Sequence, residues 1–257
     1  MIPEVNVELA NGVLAVTISR PGKMNAITNA MYSALADAVE RANVDDDVRA
    51  LLIQADGDTF TAGNDLAEFA AQAAGDGPQE RHVVRFLRVL AEASVPVVAA
   101  VQGKAVGIGT TMLLHCDYVL LSEDAQLMTP FVNLALVPEA ASSYLLPRQI
   151  GHVRAFEMFA LGEPVPADAA VAWGIANRLV PVAELRAEAR RIAEKIATRP
   201  YGSLTATKRL MRDAERLTAQ MDREGVIFVE RLGSAEAKEA FLAFAQKRRP
   251  DFTKIPR

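Results

Sequence analysis

Cysteine is almost missing from this chain: its 257 residues contain one, Cys116. A lone cysteine excludes an intrachain disulfide and argues against a cysteine-built zinc site. Cys116 ends the apolar run Met112-Leu113-Leu114-His115-Cys116, where a small buried hydrophobe is the expected role. Histidine is scarce too. His82, His115 and His152 show neither metal-ligand spacing nor a nucleophile constellation, so no metal is expected. No apolar run is long enough to cross a bilayer, which excludes a membrane-spanning helix. An excess of positive charge is absent as well. The 28 Lys and Arg against 32 Asp and Glu leave a net charge of −4, which argues against nucleic acid as a general partner. The start, Met1-Ile2-Pro3-Glu4, turns acidic at once, and the end, Lys254-Ile255-Pro256-Arg257, is no peroxisomal address. A cytoplasmic protein without a signal peptide is expected.

What is present suits a soluble globular protein: 51% of residues are hydrophobic and 23% charged. The length allows one large domain or a domain with a subdomain. Asn11-Gly12 predicts a hairpin joining strands over 4–9 and 13–18. Strands are predicted at 48–54, 97–101 and 118–121. Helices are predicted at 29–43, 80–93, 108–116, 140–149, 152–161 and 167–173. Residues 66–80, with Gly75-Asp76-Gly77-Pro78 inside, read as a mobile loop flanked by helical pieces. From 184 to 247 the pattern is helical throughout, which places a soft boundary near 180–200. Strands alternating with helices, followed by a helical tail, predict α/β architecture. The division expected is a core over 1–195 and a C-terminal helical subdomain over 196–257.

Two glycine-bearing turns carry the chemical argument. They are Phe60-Thr61-Ala62-Gly63-Asn64-Asp65-Leu66 and Gly103-Lys104-Ala105-Val106-Gly107-Ile108-Gly109. Glycine lets the backbone approach a ligand or take positive φ. The first N–H groups of a helix lack intrahelical partners and carry partial positive charge. Such turns hold an oxyanion without a charged side chain. The second is no phosphate loop, because Lys104 precedes its glycines, and the Gly-x-Gly lacks the third glycine of a dinucleotide fingerprint. Tight turns and close helix–sheet packing are the plain structural alternative. Downstream, Glu139 closes the run Thr129-Pro130-Phe131-Val132-Asn133-Leu134-Ala135-Leu136-Val137-Pro138-Glu139. A glutamate there serves either as a proton carrier or as a favourable charge at the start of the next helix. Asp65 reads as a helix cap. Ser142 and Ser143 either orient the acid or pack in a helix, and Tyr144 reads as core.

In this order the segments resemble the crotonase superfamily, also called the enoyl-CoA hydratase/isomerase family, over nearly the whole chain. Arg20-Pro21 with Asn25-Ala26 resembles its CoA-loop entry, the two glycine turns its oxyanion loops, and Ala169 to Val180, with Trp173-Gly174-Ile175-Ala176, its Ala…Gly-Leu-Val segment. The resemblance implies a ClpP/crotonase-like fold of repeated ββα units, a homotrimer or dimer of trimers, and an acyl-CoA thioester substrate with no separate cofactor. It implies oxyanion donors at the Asn64 and Ile108 N–H groups. Substrate contacts are implied at Lys23, Ala26, Ala62, Asp65, Leu66, Phe131, Leu134 and Lys247. The two glutamates of the family's hydratases fall at Thr111 and Phe131, and neither residue is a carboxylate. The matching runs are similar instead to the Δ3,Δ2-enoyl-CoA isomerase branch, whose acid/base falls at Glu139. Two rivals stay open: a 2-enoyl-CoA hydratase, and a catalytically silent acyl-CoA- or RNA-binding homologue.

Overall fold

The opening hairpin forms as expected. Val5–Ala10 (β1) pairs antiparallel with Val13–Ile18 (β2), and the turn takes φ of 53° at Asn11 and 74° at Gly12. The computed structural model describes residues 2–73, 77 and 80–255. Most of the glycine-rich part of the loop predicted over 66–80 lies outside the described residues; its first helical piece is within them. In chain order the next elements are α1 (Asn29–Val44), β3 (Ala50–Ala55), α2 (Leu66–Ala73), α3 (His82–Ala91) and β4 (Val97–Val101). Then come β5 (Lys104–Val106), α4 (Ile108–Thr111), β6 (Tyr118–Ser122) and β7 (Gln126–Met128). They are followed by α5 (Ser142–Ile150), α6 (His152–Leu161), β8 (Val165–Pro166), α7 (Ala167–Ala172) and β9 (Arg178–Val180). The tail carries α8 (Leu185–Ala197), α9 (Tyr201–Met211), α10 (Ala214–Leu232) and α11 (Ala235–Ala245).

A six-stranded sheet runs β1-β2-β3-β4-β6-β9, parallel from β2 onward, and a three-stranded sheet runs β5-β7-β8. Parallel strands need covered faces, which is why β4 is apolar throughout and β3 is apolar but for Gln54. Their alternating side chains serve two layers. Leu51, Ile53, Val97 and Ala99 join the large core, while Ala50, Leu52, Val98 and Ala100 face Leu185, Ala189 and Ala193 of α8. α8 therefore belongs with the sheet, and the boundary expected at 195/196 falls in its last turn. The helix predicted over 108–116 is shorter: α4 passes at Met112 into a 3-10 turn ending at His115.

Gly103 marks the tightest approach of one turn to another. Its φ is 53°, and an added Cβ would lie 1.9 Å from the Asp58 carbonyl oxygen. Gly103→Ala is expected to destabilise the chain by about 3 kcal/mol or more, read as a fall in Tm of roughly 10 °C in a thermal melt.

Candidate active site

The two glycine turns are joined to each other. Thr61 N–H donates to Lys104 O at 3.0 Å and Val106 N–H to Thr61 O at 3.0 Å, forming a one-residue parallel bridge between Thr61 and Ala105. Phe60 N–H extends this to Gln102 O at 2.9 Å. Buried threonines anchor both turns. Thr61 Oγ1 donates to Asn25 O at 2.6 Å and accepts from Gly63 N–H at 3.0 Å. Thr110 Oγ1 donates to Ala105 O at 2.6 Å and accepts from Met128 N–H at 3.0 Å. Gly107, at φ 56°, precedes α4, so Ile108 supplies that helix's first N–H. Among the described residues neither the Asn64 nor the Ile108 N–H meets a protein acceptor. The Asn64 side chain is fixed from α1, where the buried Tyr32 hydroxyl donates to Asn64 Oδ1 at 2.5 Å.

Glu139 lies in a short irregular segment between a 3-10 turn at Val132–Leu134 and α5. Ala140 and Ala141, which follow it, both take positive φ, 61° and 54°. Its Oε1 accepts from Thr111 Oγ1 at 2.5 Å. The residue keeps some accessible surface where it meets a cleft, while protein packs closely round the carboxyl itself. Burial raises the carboxyl to about 7; the Thr111 hydrogen bond opposes that rise, and the Glu224 charge adds to it. The cleft has a volume of about 570 Å³, and Asn64 lines it with Glu139. Its apolar walls are Phe69, Val83, Leu87, Met221, Phe228 and Val229, drawn from α2, α3 and α10. The Tyr32 hydroxyl is held well above the usual phenol range by burial first, then by the Glu139 and Glu68 charges.

The remaining sequence-selected residues fall into three places. Ala26, Ala62, Asp65 and Leu66 lie on the first glycine turn and the Arg20–Ala26 loop beside it. Ala62 N–H donates to Met24 O at 2.9 Å, and Arg20 donates to Ala26 O at 3.0 Å and to Asp65 Oδ2 at 2.6 Å. Asp65 also accepts from Ala67 N–H at 3.0 Å, so its side chain caps α2 as expected and is engaged within the fold. Lys23 is exposed on the adjoining 3-10 turn, and Lys247 is exposed just past α11, at φ 54°. Neither lines the Glu139 cleft. Phe131 and Leu134, implied as substrate contacts, do not line it either. Phe131 packs on Phe159 with ring centroids 6.2 Å apart, and Leu134 packs on the main core. The reason is the return of the tail: α10 crosses the cleft and supplies walls that no local pattern around Glu139 could announce.

Three neighbours of Glu139 and Asn64 carry no signal in the sequence alone. Thr111 stands out only for the carboxylate it lacks, Tyr32 lies within the helix predicted over 29–43, and Glu224 lies in the helical tail. Cys116 is half-buried, and its thiol is pushed up to about 12 by burial, then by the Asp117 charge, which keeps it protonated and unreactive near neutrality.

A family model described as Enoyl-CoA hydratase/isomerase matches residues 8–255. A crystal structure of an enoyl-CoA hydratase/isomerase from Pseudoalteromonas atlantica T6c is 46% identical, with a TM-score of 0.92, covering 97% of this chain and 99% of that one. A 1,2-epoxyphenylacetyl-CoA isomerase of Escherichia coli K12 is 34% identical over 94% of this chain and 95% of its own length. Enoyl-CoA delta isomerase 2 of Rattus norvegicus is 32% identical over 92% of this chain and 62% of its own length.

Proposed function

The chain belongs to the enoyl-CoA hydratase/isomerase family, and from that premise we propose that it is a Δ3,Δ2-enoyl-CoA isomerase that moves a proton with Glu139. One observation carries the reading: the Glu139 carboxyl, which lines the cleft with Asn64 and has no ion-pair partner among the described residues, is raised to about 7. Such a group exchanges protons readily near neutrality. The positions where the family's hydratases carry glutamates hold Thr111 and Phe131, and Thr111 hydrogen-bonds Glu139 at 2.5 Å. The relative named enoyl-CoA delta isomerase 2 supports the same reading.

The chemistry follows from the parts. The Glu139 carboxylate removes a proton from C2 of a 3-enoyl thioester. The electron pair left behind delocalises into a dienolate whose charge rests largely on the thioester oxygen. The Asn64 and Ile108 N–H groups receive that oxygen; each such donor contributes roughly 3–4 kcal/mol to the transition state. Protonated Glu139 then returns the proton to C4, leaving the double bond between C2 and C3. Proton and electrons balance without a metal or redox cofactor. Phe69, Leu87 and Phe228 keep bulk water from the dienolate. On this reading Lys23, Ala26, Ala62, Asp65, Leu66 and Lys247 serve the CoA part, the working assembly is a homotrimer or dimer of trimers, and the enzyme is cytoplasmic. Among the described residues no helix is long and apolar enough to cross a membrane.

The test uses two substrates. Wild type is expected to convert trans-3-hexenoyl-CoA to the 2-enoyl product and to leave crotonyl-CoA unhydrated. Hydration without isomerisation overturns the reading in favour of a hydratase. The pH dependence adds a second check. Glu139 must be ionised to accept the first proton, so kcat/KM is expected to rise with pH and level off above a midpoint near 7. A flat profile from pH 5 to 9 would exclude Glu139 as the base.

A further inference from the structure

A glutamate just ahead of a helix ordinarily stabilises that helix's N-terminus. Glu139 precedes α5 and does not do so: its side chain turns to Thr111 and the cleft. The N-terminus of α5 is taken instead by a carboxylate from far along the chain. Glu224, on α10 and 5% exposed, accepts from Ala141 N–H at 2.7 Å and from Ser143 N–H at 3.0 Å. It also accepts from Ser143 Oγ, which Gln220 Nε2 in turn supports at 3.0 Å. From the other side, His115 Nε2–H donates to Ala140 O at 2.7 Å. The two alanines bound in this way are those held at positive φ, a conformation that is costly for a residue with a Cβ. The segment that aims Glu139 is therefore strained and gripped from both flanks.

We propose that Glu224 is a positioning residue for proton transfer: by capping α5 it frees Glu139 for the cleft, holds the Ala140–Ala141 turn, and sets a negative charge behind the base. This rests on the function proposed above. Burial pushes the Glu224 carboxyl up, and its hydrogen bonds from Ser143 and Ala141 oppose that rise; as the carboxylate it has two electrostatic effects that act in one direction. Its charge disfavours ionisation of Glu139, and it neutralises the partial positive charge of the α5 N-terminus, which would favour ionisation. The other groups around Glu139 leave that assignment intact. Thr111 of α4 is neutral. Tyr32 of α1 holds its proton far above neutrality. His115 is kept down at about 4 by burial and the Arg212 charge, so it stays neutral over the assay range. Asp222 of α10 is paired with Arg88 of α3 at the cleft wall, Arg81 lies at the same wall, and Glu68 faces Tyr32.

The test compares wild type, Glu224→Gln and Glu224→Asp, each as the full chain labelled with carboxyl-13C glutamate. Glu139 is assigned by its missing signal in Glu139→Gln. In Glu224→Gln the Glu139 titration midpoint is expected to fall by at least about half a pH unit from its value near 7. In Glu224→Asp the charge stays but the shorter side chain cannot reach both N–H groups. The midpoint should hold, while kcat on trans-3-hexenoyl-CoA falls at least roughly tenfold with KM within about twofold. An unmoved midpoint in Glu224→Gln, or wild-type kcat in Glu224→Asp, overturns the proposal. A lowered Tm with neither change marks Glu224 as a structural cap only and also overturns it. Should Glu224→Gln not fold, Glu224→Asp decides alone. Should wild type not isomerise the thioester, the function proposed above falls, and the NMR midpoint still decides whether Glu224 governs Glu139.

Discussion

Glu139→Gln is expected to lower isomerisation of trans-3-hexenoyl-CoA by a factor of at least roughly 100, with the affinity for a saturated thioester such as hexanoyl-CoA nearly unchanged. Glutamine fills the same volume and still accepts from Thr111 Oγ1, so the cleft keeps its shape. It cannot take a proton from C2, and no neighbour substitutes. Tyr32 is held in its protonated form, Glu224 is engaged by the α5 N-terminus, and Asp222 is paired with Arg88. The same variant carries a stability signature. Glu139 keeps its proton in the folded chain up to about pH 7, against 4.5 for an ordinary glutamate. Between those values the folded chain binds the proton and the unfolded chain does not, so the contribution of Glu139 to stability falls as pH rises through that window. Glutamine removes the term. The Tm of Glu139→Gln relative to wild type should therefore be higher at pH 8 than at pH 4. A variant that retains half of wild-type turnover, or that loses ground in Tm as the pH rises, would assign the proton transfer to another group.

The second large effect is expected from Gly63→Ala, which adds one methyl group. Gly63 has φ of 89°, and an added Cβ would stand 2.9 Å from the Val106 carbonyl oxygen. That carbonyl belongs to the other glycine turn, so neither side can yield without the other. Gly63 O accepts from Ile27 N–H at 2.8 Å, and Gly63 N–H donates to Thr61 Oγ1 at 3.0 Å. Relief of the clash therefore moves the Asn64 N–H relative to that of Ile108. Loss of one oxyanion donor costs about 100- to 1000-fold in kcat, and a displacement should approach the lower figure. The measurement is kcat on trans-3-hexenoyl-CoA beside Tm and hexanoyl-CoA affinity. A folded Gly63→Ala protein with kcat near wild type would remove Asn64 from the oxyanion site.

Much of this molecule is legible one segment at a time. The Asn11-Gly12 hairpin, the apolar runs that become β3 and β4, and the helix over 29–43 follow from turn chemistry and from period-2 or period-3.6 patterning, which are local properties of the backbone. The glycine turns are legible for the same reason: positive φ at Gly63 and Gly107 is a demand that the sequence meets in place. Glu139 is visible as a residue, yet its spacing alone favours the helix-charge role, and only the resemblance to a family favours the proton carrier. Proximity in sequence does not put a residue on the cleft wall. Phe131 and Leu134 are apolar and close in sequence to Glu139, but they pack on Phe159 and the main core.

The sequence by itself determined the α/β architecture and the two glycine turns, because each depends on chemistry within a few residues; it offered Glu139 as the acid only through the family resemblance. Tertiary structure alone decided which charge serves the helix and which serves the cleft. Glu224 reaches Ala141 across 83 positions of chain, and Tyr32 reaches Asn64 across 32. No pattern within a segment encodes such a meeting. The first arises when α10 folds back over α3 and α5, the second when α1 packs beside the first glycine turn, and burial raises the Glu139 carboxyl to about 7.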